Sequence, residues 1–153
     1  VAAYFGKAID AGNSAGLLQI ISRKLLDGNF LSAIEAEPAL GWPMIDSVLS
    51  DLDVVINCTT MGSGEQIDKL PLSIEQLGKL PAHAIVYDII YQPAQSLLLK
   101  QAEEVGLQTL NGEAMNLGQA VLAFQHAVAN QSSSCSKDSV RRVMQDAAKA
   151  KKS

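Results

Sequence analysis

Residues 53–62, DVVINCTTMG, decide which fold is predicted for this chain. Three consecutive β-branched residues, Val54 to Ile56, are typical of a strand that is buried on both faces, as in a parallel sheet. Most residues from Asn57 onward are small or polar, with glycine at positions 62 and 64. Since open α/β sheets bind ligands beyond the carboxyl ends of their strands, the stretch predicts a core strand that leads into a ligand loop.

Outward from this stretch, further apolar runs predict strands that alternate with helices. Strands are predicted at residues 17–21, 84–90 and 107–110, and helices at residues 2–11, 44–50, 72–80, 96–105, 115–129 and 136–150. This order fits an α/β fold with a doubly wound, Rossmann-like, mostly parallel sheet. Such folds usually open with a strand and a glycine-rich turn that holds a pyrophosphate. Here the chain is expected to begin at the following helix, so the usual first strand and turn are expected to be missing.

Composition excludes several classes of protein. The chain has 153 residues, 48% of them apolar, which is enough for one domain with a hydrophobic core. A formal net charge of −4 implies no general affinity for nucleic acid. No apolar run approaches the roughly 20 residues that span a bilayer. Neither His83 nor His126 has a partner at metal-ligand spacing, so no metal site is predicted.

The two cysteines and the first residue lead to expectations about compartment and processing. Cys58 lies at the predicted core strand, and two cysteines do not form a disulfide framework. Both thiols are therefore expected to be reduced and the chain to be cytoplasmic. Because the first residue is Val1 rather than methionine, we expect that the start has been processed, cut or left out.

Two cations follow the strand predicted at residues 17–21, in the sequence Ser22-Arg23-Lys24. One interpretation is a solvated turn. The other is a site for the 2′-phosphate of NADP, which an arginine near this strand end accommodates. The planar guanidinium suits phosphate because it donates two parallel hydrogen bonds. The residues alone leave both interpretations open.

Asp88 is unusual within the apolar run AIVYDII. A carboxylate near the carboxyl end of a strand more often anchors a loop or a helix N-terminus than takes part in catalysis. The strand is predicted to end at Tyr91-Gln92-Pro93, because proline cannot donate a hydrogen bond to a sheet.

Five segments, in order and at similar spacing, resemble the cofactor-binding half of shikimate dehydrogenases, over about residues 15 to 128. Ser22-Arg23-Lys24 stands where that family has Asn-Arg-Thr, and Asn57 to Gly62 resembles its Asn-x-Thr-x-x-Gly loop. Tyr87 to Pro93 is similar to the Tyr-Asp-x-x-Tyr-x-Pro segment, and Asn111 to Met115 to the Asp/Asn-Gly-x-Gly-Met turn. Gln119 matches the glutamine that reaches the substrate.

The resemblance implies an NADP-binding site and a role for each matching residue. Those implied for the 2′-phosphate are Ser22, Arg23 and Lys24; for the rest of the cofactor, Thr59, Thr60, Met61, Gly112 and Met115; and for the substrate, shikimate or quinate, Tyr91 and Gln119.

The chain also departs from the family pattern. Ser22 replaces an asparagine, and Ala114 replaces a glycine whose backbone lies close to the nicotinamide. The family's catalytic lysine and aspartate belong to a separate N-terminal substrate domain that has no counterpart here. No catalytic residue is therefore predicted, and little or no shikimate oxidation is expected from these residues alone.

Three hypotheses about function remain. In the first, the chain is part of a full shikimate or quinate dehydrogenase. In the second, it is a truncated nucleotide-binding or regulatory module without catalysis. In the third, it is a structural remnant that forms a homodimer. A strand edge left bare by a missing first strand would favour such pairing. The expected organisation is an NADP-binding domain at residues 1–130, followed by a linker and helix at residues 131–153.

Overall fold

A computed structural model describes residues 2–6, 18–22, 40–128 and 136–150, with burial and side-chain contacts only within 40–128 and 136–147. The strands in these ranges are β1 (Ala2–Gly6), β2 (Leu18–Ser22), β3 (Leu40–Gly41), β4 (Val54–Asn57), β5 (Ile85–Asp88) and β6 (Gln108–Leu110). The α-helices are α1 (Ile74–Leu77), α2 (Leu97–Glu104), α3 (Glu113–Val128) and α4 (Lys137–Ala150). Short 3-10 helices cover Trp42–Ser47, Leu49–Asp51 and Gly64–Gln66.

The six strands form one sheet in the order β3-β2-β1-β4-β5-β6. β4, β5 and β6 are parallel neighbours, and helices connect them along the chain. The predicted α/β fold with a Rossmann-like, mostly parallel sheet is therefore confirmed. The predicted strands at residues 17–21, 54–56, 84–90 and 107–110 are also present, with ends that differ by at most two residues.

The prediction of a helix at residues 2–11 is wrong for residues 2–6, and residues 7–11 lie outside the described ranges. Residues 2–6 form β1, which pairs antiparallel with both β2 and β4. As a strand, this segment satisfies backbone groups on both of its neighbours, which a helix would have left as open strand edges. A strand thus does lie beside β4, but it runs opposite to the usual parallel direction.

The helices match the sequence pattern where their apolar spacing is regular. α2, α3 and α4 lie within two residues of their predicted ends. The segment predicted at residues 44–50 forms two 3-10 helices, and α1 is shorter than the predicted 72–80. A capping box between Ser73 and Gln76 sets the start of α1. None of the helices in the described ranges has both the length and the apolar character needed to cross a bilayer.

The hydrophobic core lies between the sheet and the segments around it. Its buried members include Val55 and Val86, which lie side by side in β4 and β5, and Leu98, Leu99 and Ala102 on one side of α2. The core therefore holds β4, β5 and α2 together, and these are the elements whose ends carry the candidate site.

The chain divides into two compact units, Val1–Asn111 and Gly112–Ser153. The sheet and the hydrophobic core belong to the first unit, and α3 and α4 contact each other in the second. The predicted domain limit after residue 130 stays a prediction. The compact units divide earlier because α3 contacts α4, the helix that the sequence assigned to a separate tail.

Candidate functional site

The carboxyl ends of the strands meet at one edge of the sheet. β2 and β4 are parallel to each other because both are antiparallel to β1, where Tyr4 pairs with Ile20 on one side and Ile56 on the other. β2 therefore ends at Ser22 on the same edge at which β4 ends at Asn57. β5 and β6 run in the same direction and end there too. This edge is where ligands bind in open α/β sheets.

Asn57 joins the ends of β4 and β5. Its side chain is buried, with 1% of the residue exposed. The amide nitrogen donates to the Met61 carbonyl oxygen at 3.1 Å and to Asp88 Oδ1 at 3.1 Å. The amide oxygen accepts from the Thr59 backbone N–H at 2.9 Å and the Thr59 hydroxyl at 2.7 Å. One carboxamide therefore shapes the whole turn that follows β4.

Thr59 is held inside this turn. Besides donating to Asn57, its hydroxyl oxygen accepts from the Met61 backbone N–H at 3.1 Å. Thr59 is buried, Met61 is half-buried and Thr60 is exposed. Of the three loop residues predicted to line the cofactor, Thr59 uses its hydroxyl to hold the loop, while Thr60 offers an exposed side chain.

Asp88 is fully buried and accepts three hydrogen bonds. Oδ1 accepts from Asn57 and from the Ile90 backbone N–H at 3.1 Å, and Oδ2 accepts from the Ser96 hydroxyl at 2.6 Å. Removal from water raises the pKa of this carboxyl, while the hydrogen bonds from Ser96, Ile90 and Asn57 act to lower it. Asp88 thus anchors both the loop and the N-terminus of α2, and the anchor interpretation is confirmed.

Ser96 links this cluster to α2. It is buried as the N-cap of that helix, and its oxygen accepts from the Leu99 backbone N–H at 3.4 Å. Gly62 packs close by, with φ of 100°, and a Cβ placed there would lie 3.3 Å from Ile90 Cδ1 and 3.5 Å from Ser96 Cβ. Glycine is favoured here because a larger residue would be both strained and crowded.

The structure locates only some of the predicted site residues. Arg23 and Lys24 lie outside the described residues, and Ser22 is described only as the last residue of β2. Tyr91 follows β5 and is 48% exposed. In the second unit, Gly112 is buried before α3, Met115 is half-buried within it, and Gln119 is exposed.

Sequence reasoning assigned no role to Ser96 or to Asn57, although Asn57 begins the segment that matches the family loop. Both are polar residues at the end or start of an apolar run, which was the available signal. Their pairing with Asp88 joins segments that are well separated along the chain. Among the described residues, no group of three or more His, Cys, Asp or Glu side chains is placed to hold a metal ion.

Comparison with known proteins shows which proteins the chain resembles. No protein-family model matches the chain. It is 42% identical over 85 residues to a shikimate dehydrogenase (NADP(+)) of Thermosynechococcus vestitus, covering 56% of this chain and 30% of that protein. It is 36% identical over 118 residues to a shikimate dehydrogenase (NADP(+)) of Symbiobacterium thermophilum, covering 71% and 40% respectively.

The solved structures agree with the curated relatives. A shikimate dehydrogenase solved in complex with NADP+ superposes with a TM-score of 0.56 and 25% sequence identity, over 76% of this chain and 39% of that chain. The chain thus spans at most 40% of the length of these three proteins.

Proposed function

We propose that this chain, which belongs to the shikimate dehydrogenase family over the part that it shares with those enzymes, is the NADP-binding part of a shikimate dehydrogenase-like oxidoreductase. The single observation that carries the proposal is the common sheet edge, where β2 ends at Ser22 and β4 ends at Asn57. The cations Arg23 and Lys24 follow the first of these strand ends in the sequence, and the loop with Thr59 and Thr60 follows the second.

The two strand ends would serve different parts of a dinucleotide. The ends of β2 and β4 would serve the 2′-phosphate and the rest of the cofactor respectively. The pyrophosphate usually binds a glycine-rich turn at the carboxyl end of the central strand. β1 takes that central position but is antiparallel to β2 and β4, so Gly6 leaves the sheet at the opposite edge. We therefore expect weak binding of NADPH.

The reaction of the whole enzyme would be hydride transfer between NADP and shikimate or quinate, with Tyr91 and Gln119 facing the substrate. The cofactor would supply the hydride chemistry, and the protein would supply orientation and a proton acceptor. This sequence has no residues that match the family's catalytic lysine and aspartate. The chain alone therefore lacks an identified proton acceptor.

Binding is tested by titrating the chain with NADPH and with NADH, followed by Trp42 fluorescence and by calorimetry. Arg23→Ala should weaken NADPH binding by about tenfold or more and leave NADH binding nearly unchanged, since only NADPH carries the 2′-phosphate. Arg142→Ala is the matched control, because it removes the same charge from an exposed site on α4. Equal losses for both cofactors would show that Arg23 does not bind the phosphate.

Failure of wild type to bind either cofactor would reject the nucleotide-binding proposal and favour a structural module. A separate assay follows shikimate-dependent reduction of NADP by absorbance. These 153 residues alone should give little or no turnover. Ordinary turnover would show that the chain contains an acceptor that its sequence does not reveal.

A further inference from the structure

A buried carboxylate lies at the sheet edge where β4 and β5 end, and it has no part in the proposed hydride chemistry. Asp88 is 0% exposed, and burying a charged group is costly unless every acceptor finds a donor. We propose that Asp88 is the positioning residue of this edge: its carboxylate orients the Asn57 carboxamide, which in turn sets the backbone of the loop from Cys58 to Gly62. The inference rests on the proposed function only in assigning that loop to a cofactor.

The contacts around Asp88 are those of an ionised carboxylate. Such a group only accepts hydrogen bonds. Its three partners can all donate: the amide nitrogen of Asn57, the backbone N–H of Ile90 and the hydroxyl of Ser96. The 2.6 Å separation between Ser96 Oγ and Asp88 Oδ2 is typical of an O–H donor on a charged oxygen.

An acceptor-only neighbour leaves one orientation for the Asn57 carboxamide. Its nitrogen must face Asp88, because the reversed amide would bring two oxygen atoms together. The amide oxygen then faces Thr59, where it accepts from both the backbone N–H and the hydroxyl. The Thr59 hydroxyl proton is thereby committed to Asn57.

The same polarity continues to the end of the loop. With its proton committed, the Thr59 oxygen has only lone pairs left, and it accepts from the Met61 backbone N–H at 3.1 Å. The Met61 carbonyl oxygen in turn accepts from Asn57. The charge on Asp88 therefore fixes which group donates and which accepts in each hydrogen bond from Asn57 to Met61. These bonds hold the backbone of the loop.

The test is amide hydrogen exchange, measured residue by residue by NMR on the whole chain without cofactor. Asp88→Asn keeps the side-chain size but can donate as well as accept, so it no longer selects one orientation of Asn57. Exchange at the Thr59 and Met61 amides should accelerate by about tenfold or more, as expected when a hydrogen bond to a charged group is lost. The amides of Val55 and Val86, in the adjoining strands, should change much less.

Two comparisons separate positioning from general stability. Asp68→Asn removes the same charge from an exposed residue and should leave the Thr59 and Met61 amides unchanged. Ser96→Ala keeps the bond between Asp88 and Asn57, so it should accelerate exchange at Leu99, which Ser96 caps, more than at Thr59 or Met61. If Asp88→Asn does not fold, acceleration at Thr59 and Met61 as large as that at Leu99 in Ser96→Ala would overturn the inference.

Either of two results would overturn the inference. One is an equal acceleration at the loop and at Val55 and Val86 in Asp88→Asn, which would indicate a loss of stability alone. The other is unchanged exchange at Thr59 and Met61. Because no cofactor is present, these results are independent of whether wild type binds NADPH. If wild type does bind, Asp88→Asn should raise the dissociation constant by about tenfold.

Discussion

At the scale of single residues, the candidate site is built from side chains that face inward. Asn57, Thr59, Asp88 and Ser96 are all buried and bond mainly to one another and to nearby backbone groups. Burying four polar side chains is favourable only if their hydrogen bonds are satisfied. This cluster therefore gives this edge of the sheet a defined shape.

The raised pKa of Asp88 predicts a pH dependence of stability. Folding raises this pKa above its ordinary value of 3.8, chiefly through burial, so the folded chain holds the proton more tightly than the unfolded chain. The contribution is fully present below the unfolded pKa and is lost as pH rises through the folded pKa. The free energy of unfolding of Asp88→Asn, minus that of wild type, should therefore increase over this pH range.

Urea unfolding of both proteins, from about pH 3 to about pH 8, measures this difference. The exposed carboxyls of Asp46 and Glu75 also have shifted pKa values, but they are present in both proteins and cancel in the comparison. If the difference in the free energy of unfolding stays constant, or decreases as pH rises, the pKa of Asp88 is not raised by folding.

Gly62 predicts a second effect at the residue scale. Gly62→Ala should lower the free energy of unfolding by about 2–4 kcal/mol, because it adds both backbone strain and a close contact with Ile90. Gly64→Ala is the matched control: its φ of 53° is also positive, but a Cβ there meets nothing within 4 Å. Its cost should be about 1 kcal/mol. Equal costs in denaturant unfolding would mean that packing at Gly62 is unimportant.

At the scale of elements, the direction of β1 matters most. Because β1 is antiparallel to both neighbours, its carboxyl end at Gly6 lies at the edge opposite to Ser22 and Asn57. The bare edge beside β4, on which the expectation of a homodimer depended, is also covered. The dimer therefore remains a prediction without that support.

The direction of β1 can be observed directly. Antiparallel pairs bring alternate Cα atoms to about 4.5 Å, close enough for strong Hα–Hα nuclear Overhauser effects, whereas parallel pairs do not. Such signals are expected between β1 and both β2 and β4, around the level of Tyr4, Ile20 and Ile56. They should be absent between β4 and β5, which serve as the internal control. Helical sequential signals at residues 2–6 would contradict the strand.

At the scale of the whole molecule, the two compact units differ in how much core they contain. The buried hydrophobic cluster lies between Ile45 and Leu107, within the first unit. Among the described residues of the second unit, the buried hydrophobic side chains are Val121 and Val140. Exposed apolar residues there include Phe124 and Val143. Burial of apolar area is the main stabilising contribution, so the second unit should be the less stable.

This difference predicts unfolding in two steps. Trp42 reports on the first unit, whereas α3 and α4 contain most of the helical residues in the described ranges. The far-ultraviolet helical signal should therefore fall at a lower urea concentration than Trp42 fluorescence changes. Asp68→Asn, which removes a charge from an exposed residue of the first unit, should shift neither transition and serves as the control. Coincident transitions would show that the units unfold together.

Sequence reasoning predicted the elements whose local patterns are regular. It failed where a segment is compatible with both a helix and a strand. The β-branched run of β4 and the apolar spacing of α2 and α3 depend on neighbouring residues, so their positions were predictable. Residues 2–6 are compatible with a helix or a strand, and pairing with β2 and β4 decided between them. Likewise, the loop after β4 was predicted, but the buried bonds that hold it were not.

Sequence patterns alone predict the order of strands and helices from β4 to α4, the loop that follows β4 and the kinship with shikimate dehydrogenases. Each of these depends on residue types at short spacing. The tertiary structure alone decided the direction of β1 and the pairing of Asn57 with Asp88. Those two residues are 31 positions apart, and only the parallel register of β4 and β5 brings them together. Hydrogen bonds of this kind depend on which strands become neighbours, which local sequence patterns do not specify.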